Sequence, residues 1–225
     1  GTLFLSDAEL PSGVQLRGRR NALQAIQQLL ESGDLGDATE IILGGCSAGA
    51  VAAVVLGDQI AQMVREVAGP RRGREVFIAI LSDSGFFLDW SEKGIKVPRN
   101  VLNFPQFPWL FEVGNVSEAL SEECLKAGHS WRCMLLPTAI RYVKTPSFLL
   151  QSTVDTWQLR SHDPSALEAL EDHLRPALIS TMKSGLKSGH GAAFDHCLHH
   201  CGAWGDLHWG ASSNRNIFER WYLKR

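Results

Sequence analysis

Thr39-Glu40-Ile41-Ile42-Leu43-Gly44-Gly45-Cys46-Ser47-Ala48-Gly49 is the stretch on which the fold reading turns. Thr39 to Leu43 is rich in β-branched and apolar residues and reads as a strand, with Gly44-Gly45 as its end. Ala48 to Val67 reads as a helix that opens on small residues. Between them lies Gly45-Cys46-Ser47-Ala48-Gly49, a G-x-S-x-G pattern in a strand–turn–helix setting. A nucleophilic serine needs its hydroxyl exposed at a strand end, on a turn too tight for large neighbours. Gly45 and Gly49 are expected to supply that room. The helix start aims its free amides at a developing oxyanion, and the N–H of Ala48 is the expected donor. The same letters also fit a Gly-rich turn carrying an inert serine, so the reading depends on partners elsewhere in the chain.

Outward from this turn, helical and short apolar segments alternate, the pattern of an α/β fold with a mostly parallel sheet flanked by helices. Arg17 to Glu31 reads as an amphipathic helix with Leu23, Ile26, Leu29 and Leu30 on one face, stopped by Gly33. Pro70 to Arg74 reads as a loop and Glu75 to Leu81 as a strand buried on both faces. Phe86 to Phe111 is an aromatic-rich connection of the length of a lid or binding loop, although its rings are more simply core than binding surface. Ser117 to Ala127 reads as a helix, Ser147 to Gln151 as a strand after Pro146. Asp163-Pro164 reads as a helix start, with a break or kink expected near Pro176. Asn216 to Leu223 is a final amphipathic stretch that should dock on the core.

Composition narrows the function. With 225 residues, 44% of them hydrophobic and 20% charged, the chain is globular and reads as one domain over residues 1–225. A formal net charge of −2 gives no electrostatic footprint for nucleic acid, and Arg71, Arg72 and Arg74 are too few to make one locally. No apolar run reaches the ~18 residues of a membrane span. The glycines lack the Lys-Ser/Thr of a phosphate loop. Residue 1 is Gly, so the chain reads as a processed product or a fragment.

A serine nucleophile needs a base, and the base an orienting acid, in the chain order Ser, Asp or Glu, His. Asp155 follows the strand ending at Gln151 and qualifies as the acid, although a loop carboxylate or helix cap would look the same. The later histidines are His162, His173, His190, His196, His199, His200 and His208. The run Asp195-His196-Cys197-Leu198-His199-His200-Cys201 is the expected site of the base, and spacing does not choose among its three histidines. Cysteine and histidine in that run also suggest zinc, but C-x3-C is not a standard ligand spacing and no second C-x2-C follows. No metal and no cofactor are expected. The cysteines are Cys46, Cys124, Cys133, Cys197 and Cys201, an odd number that leaves at least one thiol without a partner in the chain.

Several of these blocks together resemble the pectin acetylesterases and their animal relative Notum, a lipid carboxylesterase. The resemblance rests on Leu16-Arg17-Gly18-Arg19-Arg20, Gly45-Cys46-Ser47-Ala48-Gly49, Ser82-Asp83-Ser84-Gly85-Phe86-Phe87-Leu88-Asp89, Thr145 to Phe148, Val154 to Gln158 and Cys197-Leu198-His199-His200-Cys201. It implies an α/β-hydrolase-like fold with Ser47 as nucleophile, Asp155 as acid and, from the C-x-x-H-C block, His200 as base. It implies a disulfide between Cys124 and Cys133 and a secreted or lumenal setting. The substrate it implies is an acetyl ester on a pectin-type polysaccharide. The alternatives are a Notum-like lipid ester, or a non-catalytic binding relative. The family's early Gly-Gly-Gly-Trp-Cys stretch, which helps form the oxyanion hole, is not found before Leu16. The fold is therefore expected to lack its first strands, and the chain alone to be weakly active.

Overall fold

In the computed structural model the residues described are 5–35, 38–72, 76–89, 106–159, 164–185, 189–202, 208–209 and 212–224. Four strands form one parallel sheet: β3 (Glu40–Cys46), β4 (Phe77–Asp83), β5 (Ser147–Ser152) and β6 (Gly191–Asp195), in the spatial order β3-β4-β5-β6. A short antiparallel pair, β1 (Ala8–Glu9) with β2 (Gln15–Leu16), precedes them, and another, β7 (His208–Trp209) with β8 (Ser212–Ser213), follows. The helices are α1 (Gly18–Glu31), α2 (Ala48–Arg72), α3 (Gln106–Val113), α4 (Glu122–Lys126), α5 (Leu136–Ala139), α6 (Thr156–Leu159), α7 (Pro164–Gly185) and α8 (Asn214–Tyr222). This is the expected parallel α/β architecture.

Register brings Cys46 opposite Asp83 and Ser152 opposite Asp195, so the carboxyl ends of the four strands face one side of the molecule. Crossover helices cover both faces of such a sheet, which is why β4 and β5 read as near-continuous apolar runs. Val51, Val54 and Ala61 of α2 are fully buried in the same core as Ile78 and Ile80 of β4. A Cβ on Gly57 would collide with the Ile80 side chain, so α2 lies unusually close to the sheet there. A second cluster seats Phe218 of α8 edge-on against Phe148 of β5, with ring centroids 5.3 Å apart. The final amphipathic stretch thus docks as expected.

Several expectations need correction. β3 does not end at Gly44-Gly45 but runs through both to Cys46, because β4 supplies ladder partners at Leu81, Ser82 and Asp83. β4 starts at Phe77 and runs two residues past Leu81. Helix α2 continues past Pro70 to Arg72. Leu29 is exposed, and the packed face of α1 is Leu23, Ile26 and Leu30 with Ala22. The end of the aromatic connection is helical, as α3. Of its rings Phe86, Phe87 and Phe107 are buried and Trp109 is 52% exposed, whereas Trp90 and Phe104 lie outside the described residues.

Ser117 to Ala127 is two pieces, a 3-10 turn over Ser117–Ala119 and then α4, restarted by the Ser121 side chain capping the Cys124 amide at 3.4 Å. Helix α7 does not break at Pro176, which is exposed, because Leu174 and Leu178 on either side are fully buried and hold both turns on the core. Strand β6 is not signalled by the local sequence: Gly191-Ala192-Ala193-Phe194-Asp195 carries little β propensity, and its pairing with β5 creates it. Asp163, the expected cap of α7, lies outside the described residues.

Candidate active site

Ser47 sits on the residue between β3 and α2 with φ 58°, a left-handed backbone that a serine adopts only under constraint. Its amide donates to the Asp83 carbonyl at 2.8 Å, and its carbonyl accepts from Val51 at 3.1 Å. A Cβ on Gly45 would run into the backbone of Gly49 and come within 2.8 Å of the Ala50 nitrogen. A Cβ on Gly49 would meet nothing within 4 Å. Gly45 alone therefore supplies the room that both glycines were expected to give. Ala48 opens α2, and its N–H is among the first-turn donors without an intrahelical acceptor.

The Ser47 hydroxyl lies 2.8 Å from His200 Nε2. His200 Nδ1 lies 2.9 and 3.0 Å from the two Asp155 carboxylate oxygens. Asp155 is fully buried. Its Oδ1 accepts the amides of Trp157 at 2.9 Å and Gln158 at 3.2 Å, and its Oδ2 accepts Gln151 Nε2 at 2.9 Å. A buried carboxylate with this many donors is fully satisfied, and its charge is directed at the imidazole. The His200 ring stacks on Trp157, centroids 5.4 Å apart and 21° between planes. Ser47, Asp155 and His200, the three residues the resemblance implied, thus meet in one hydrogen-bonded chain, although His200 is 153 residues from Ser47.

Around this chain stand residues to which the sequence reading gave no role. Gln151 Oε1 accepts the Phe86 amide at 3.0 Å, and Gln158 Nε2 donates to the Phe86 carbonyl at 3.1 Å. Both glutamines are fully buried and sew the segment after β4 to the acid. The signal for Gln151 is present in the sequence, since a glutamine inside an apolar strand must find partners, whereas Gln158 lies in α6 and carries no such signal. Cys46 and Cys201 form a disulfide, tying the residue before Ser47 to the residue after His200. Cys124 and Cys133 form a second, as expected, and Cys197 is the free thiol.

The neighbouring histidines have other work. His199 Nε2 lies 2.8 Å from Asp195 Oδ1. The hydrogen bond to Asp195 raises the His199 pKa above its ordinary value despite burial, with the charges of Asp195 and Asp83 and the Cys201 backbone acting the same way. Burial pushes Asp195 upward, but bonds from His199, the Cys197 amide and Asn214 outweigh it and hold its pKa below the ordinary carboxylate value. His196 Nδ1 is 3.1 Å from Thr153 Oγ1 and 3.2 Å from Glu171 Oε1. His190 is buried under β5, accepts the Ser147 amide at 3.1 Å, and burial lowers its pKa. His173 lies on α7 and His208 in β7, while His162 is outside the described residues. Among the described residues no His, Cys, Asp and Glu group is arranged to hold a metal ion. Of the residues that suggested zinc, Cys201 is in the disulfide, His199 and His200 face Asp195 and Asp155, His196 faces Thr153 and Glu171, and Cys197 is a free thiol.

Comparison with known proteins bears on the fold and the family. A family model described as Pectinacetylesterase matches residues 1–177. Pectin acetylesterase 5 of Arabidopsis thaliana is 25% identical over 97% of this chain and 56% of its own length. Palmitoleoyl-protein carboxylesterase NOTUM of Schmidtea mediterranea is 24% identical over 71% of this chain and 30% of its own. The crystal structure of the Wnt deacylase Notum from Drosophila superposes with a TM-score of 0.78 at 20% identity, covering 98% of this chain and 65% of that one. The chain spans little more than half the length of the curated pectin acetylesterase it matches. The relatives' names are those of esterases. No described helix is long and apolar enough to cross a membrane. With more than three quarters of its length matched and its fold shared, the chain belongs to the pectinacetylesterase family.

Proposed function

We propose that this chain is a serine carboxylic-ester hydrolase that removes acetyl groups from pectin-type polysaccharide. One observation carries the reading: the continuous path from Ser47 Oγ to His200 Nε2 at 2.8 Å, and from His200 Nδ1 to the buried Asp155 at 2.9 Å. In this mechanism the neutral imidazole accepts the Ser47 proton at Nε2 as Oγ attacks the acyl carbon. The Nδ1–H stays bonded to Asp155, whose charge stabilises the imidazolium. The Ala48 N–H steadies the oxyanion. His200 then returns the proton to the leaving alcohol, and water repeats the sequence in reverse to free the acid. The two disulfides support action in the secretory pathway or outside the cell.

Acetate release from acetylated pectin and turnover of p-nitrophenyl acetate test the proposal. Ser47→Ala should lower kcat by at least about a thousandfold and leave the fold unchanged, and adding His200→Ala should cost little more. Full turnover by Ser47→Ala overturns the assignment. A lipid ester is the second reading, favoured by the match to the planarian NOTUM relative. Faster turnover of p-nitrophenyl palmitate than of the acetate would select it.

A further inference from the structure

Asp83 closes β4 and stands between the turn that carries Ser47 and the loop that carries His200. Its main-chain carbonyl accepts the Ser47 amide at 2.8 Å. Its Oδ2 accepts the Gly202 amide at 2.9 Å, and its Oδ1 accepts the Ser84 hydroxyl at 2.8 Å. Ser84 Oγ in turn accepts the Cys201 amide at 2.9 Å. Both amides that follow His200 therefore end on the Asp83–Ser84 pair. These bonds hold backbone on either side of the Ser47–His200 contact rather than the reacting atoms.

A second observation converges on the same place. Among the described residues five non-glycine residues have positive φ, and three of them meet here: Ser47 at 58°, Ser84 at 54° and Cys201 at 66°. Each such conformation is strained and persists only where the surroundings over-determine it. Ser84 is fully buried, and its amide donates to the Leu150 carbonyl of β5 at 2.8 Å, so the pair is anchored to the centre of the sheet. The Cys46–Cys201 disulfide links the same two segments covalently, and the Asp83–Ser84 bonds hold the backbone amides beside it.

We infer that Asp83, acting with Ser84, is a positioning residue that sets the distance between His200 Nε2 and Ser47 Oγ by tying both backbones to the end of β4. The inference rests on the Ser47–His200–Asp155 reading proposed above. A fluorophosphonate probe reads it directly, because the probe is attacked by Ser47 and its labelling is followed by intact mass. Asp83→Ala and Ser84→Ala are compared with the unaltered chain, with Ser47→Ala as control. The expected result is a 10- to 100-fold lower inactivation rate constant at saturating probe, with the half-saturating concentration and the final labelled fraction unchanged.

A role in folding alone would instead lower the final labelled fraction and leave the rate per labelled molecule intact, which overturns the inference. So does labelling at the unaltered rate. If Asp83→Ala does not fold, Ser84→Ala carries the same two outcomes, since it removes only the bond to the Cys201 amide and the one to Asp83. Equal labelling of Ser47→Ala, or no labelling of the unaltered chain, overturns the hydrolase reading itself.

Discussion

A carboxylate at a helix start and a carboxylate behind an imidazole are ordinarily competing readings of one residue, and Asp155 is both. It caps α6 through Oδ1, which accepts the Trp157 and Gln158 amides, and meets His200 Nδ1 with both carboxylate oxygens. Under the proposed mechanism Asp155→Asn keeps the cap and loses the charge. It also sets an amide nitrogen against Gln151 Nε2, so it should melt below the unaltered chain while kcat falls by roughly 10⁴; unchanged kcat in a steady-state assay contradicts the role. The neighbouring pair, His199 with Asp195, gives a pH signature. His199 has a raised pKa, so its contribution is complete below about 6.5 and is lost as pH rises through the higher folded value. Asp195 has a lowered pKa, so its contribution is complete above about 3.9 and is lost as pH falls through the lower folded value. The pair therefore stabilises most between about pH 4 and 6.5. His199→Gln should show its largest drop in Tm near pH 5–6 and a smaller one at pH 9; a drop that grows with pH contradicts the ion pair.

At the scale of elements, the turn from β3 into α2 depends on Gly45 and not on Gly49. Gly45→Ala should fail to accumulate as folded protein, or lose several degrees of Tm, because its Cβ meets backbone that cannot yield. Gly49→Ala has open space and sits in a helix, where alanine is favoured by roughly 0.5–1 kcal/mol. Thermal melts of the two variants decide this, and equal losses would refute it. The motif letters alone treat the two glycines alike. Their difference arises from the direction each Cα faces after the chain reverses at Ser47. Strand β6 makes a related point: two alanines and a glycine form it only because β5 lies alongside.

At the scale of the whole molecule, the Cys46–Cys201 disulfide joins residues 155 apart, and Cys124–Cys133 residues 9 apart. On loop-closure entropy the first should stabilise by roughly 5 kcal/mol and the second by about half that. Cys46→Ser with Cys201→Ser should therefore cost more in Tm than Cys124→Ser with Cys133→Ser, and it should also slow labelling of Ser47. Thermal unfolding of the two double variants without reductant measures the order, and the reverse order would count against the long-loop argument.

The sequence by itself determined the alternation of strand and helix, the turn that carries Ser47, the place of Asp155 after its strand, and the family, because each is written in local periodicity or in short blocks of fixed spacing. Spacing left His196, His199 and His200 equivalent as the base, and only the resemblance of the C-x-x-H-C block pointed to His200. Tertiary structure shows what distinguishes them: His196 faces Glu171, His199 faces Asp195, and of the three His200 reaches both Ser47 and Asp155. It also chose the partner of Cys46, and it gave Asp83, Ser84, Gln151 and Gln158 their roles. Those outcomes depend on which strands lie side by side and where their ends align. That is a property of contacts between residues far apart in the chain, and local sequence patterns do not encode it.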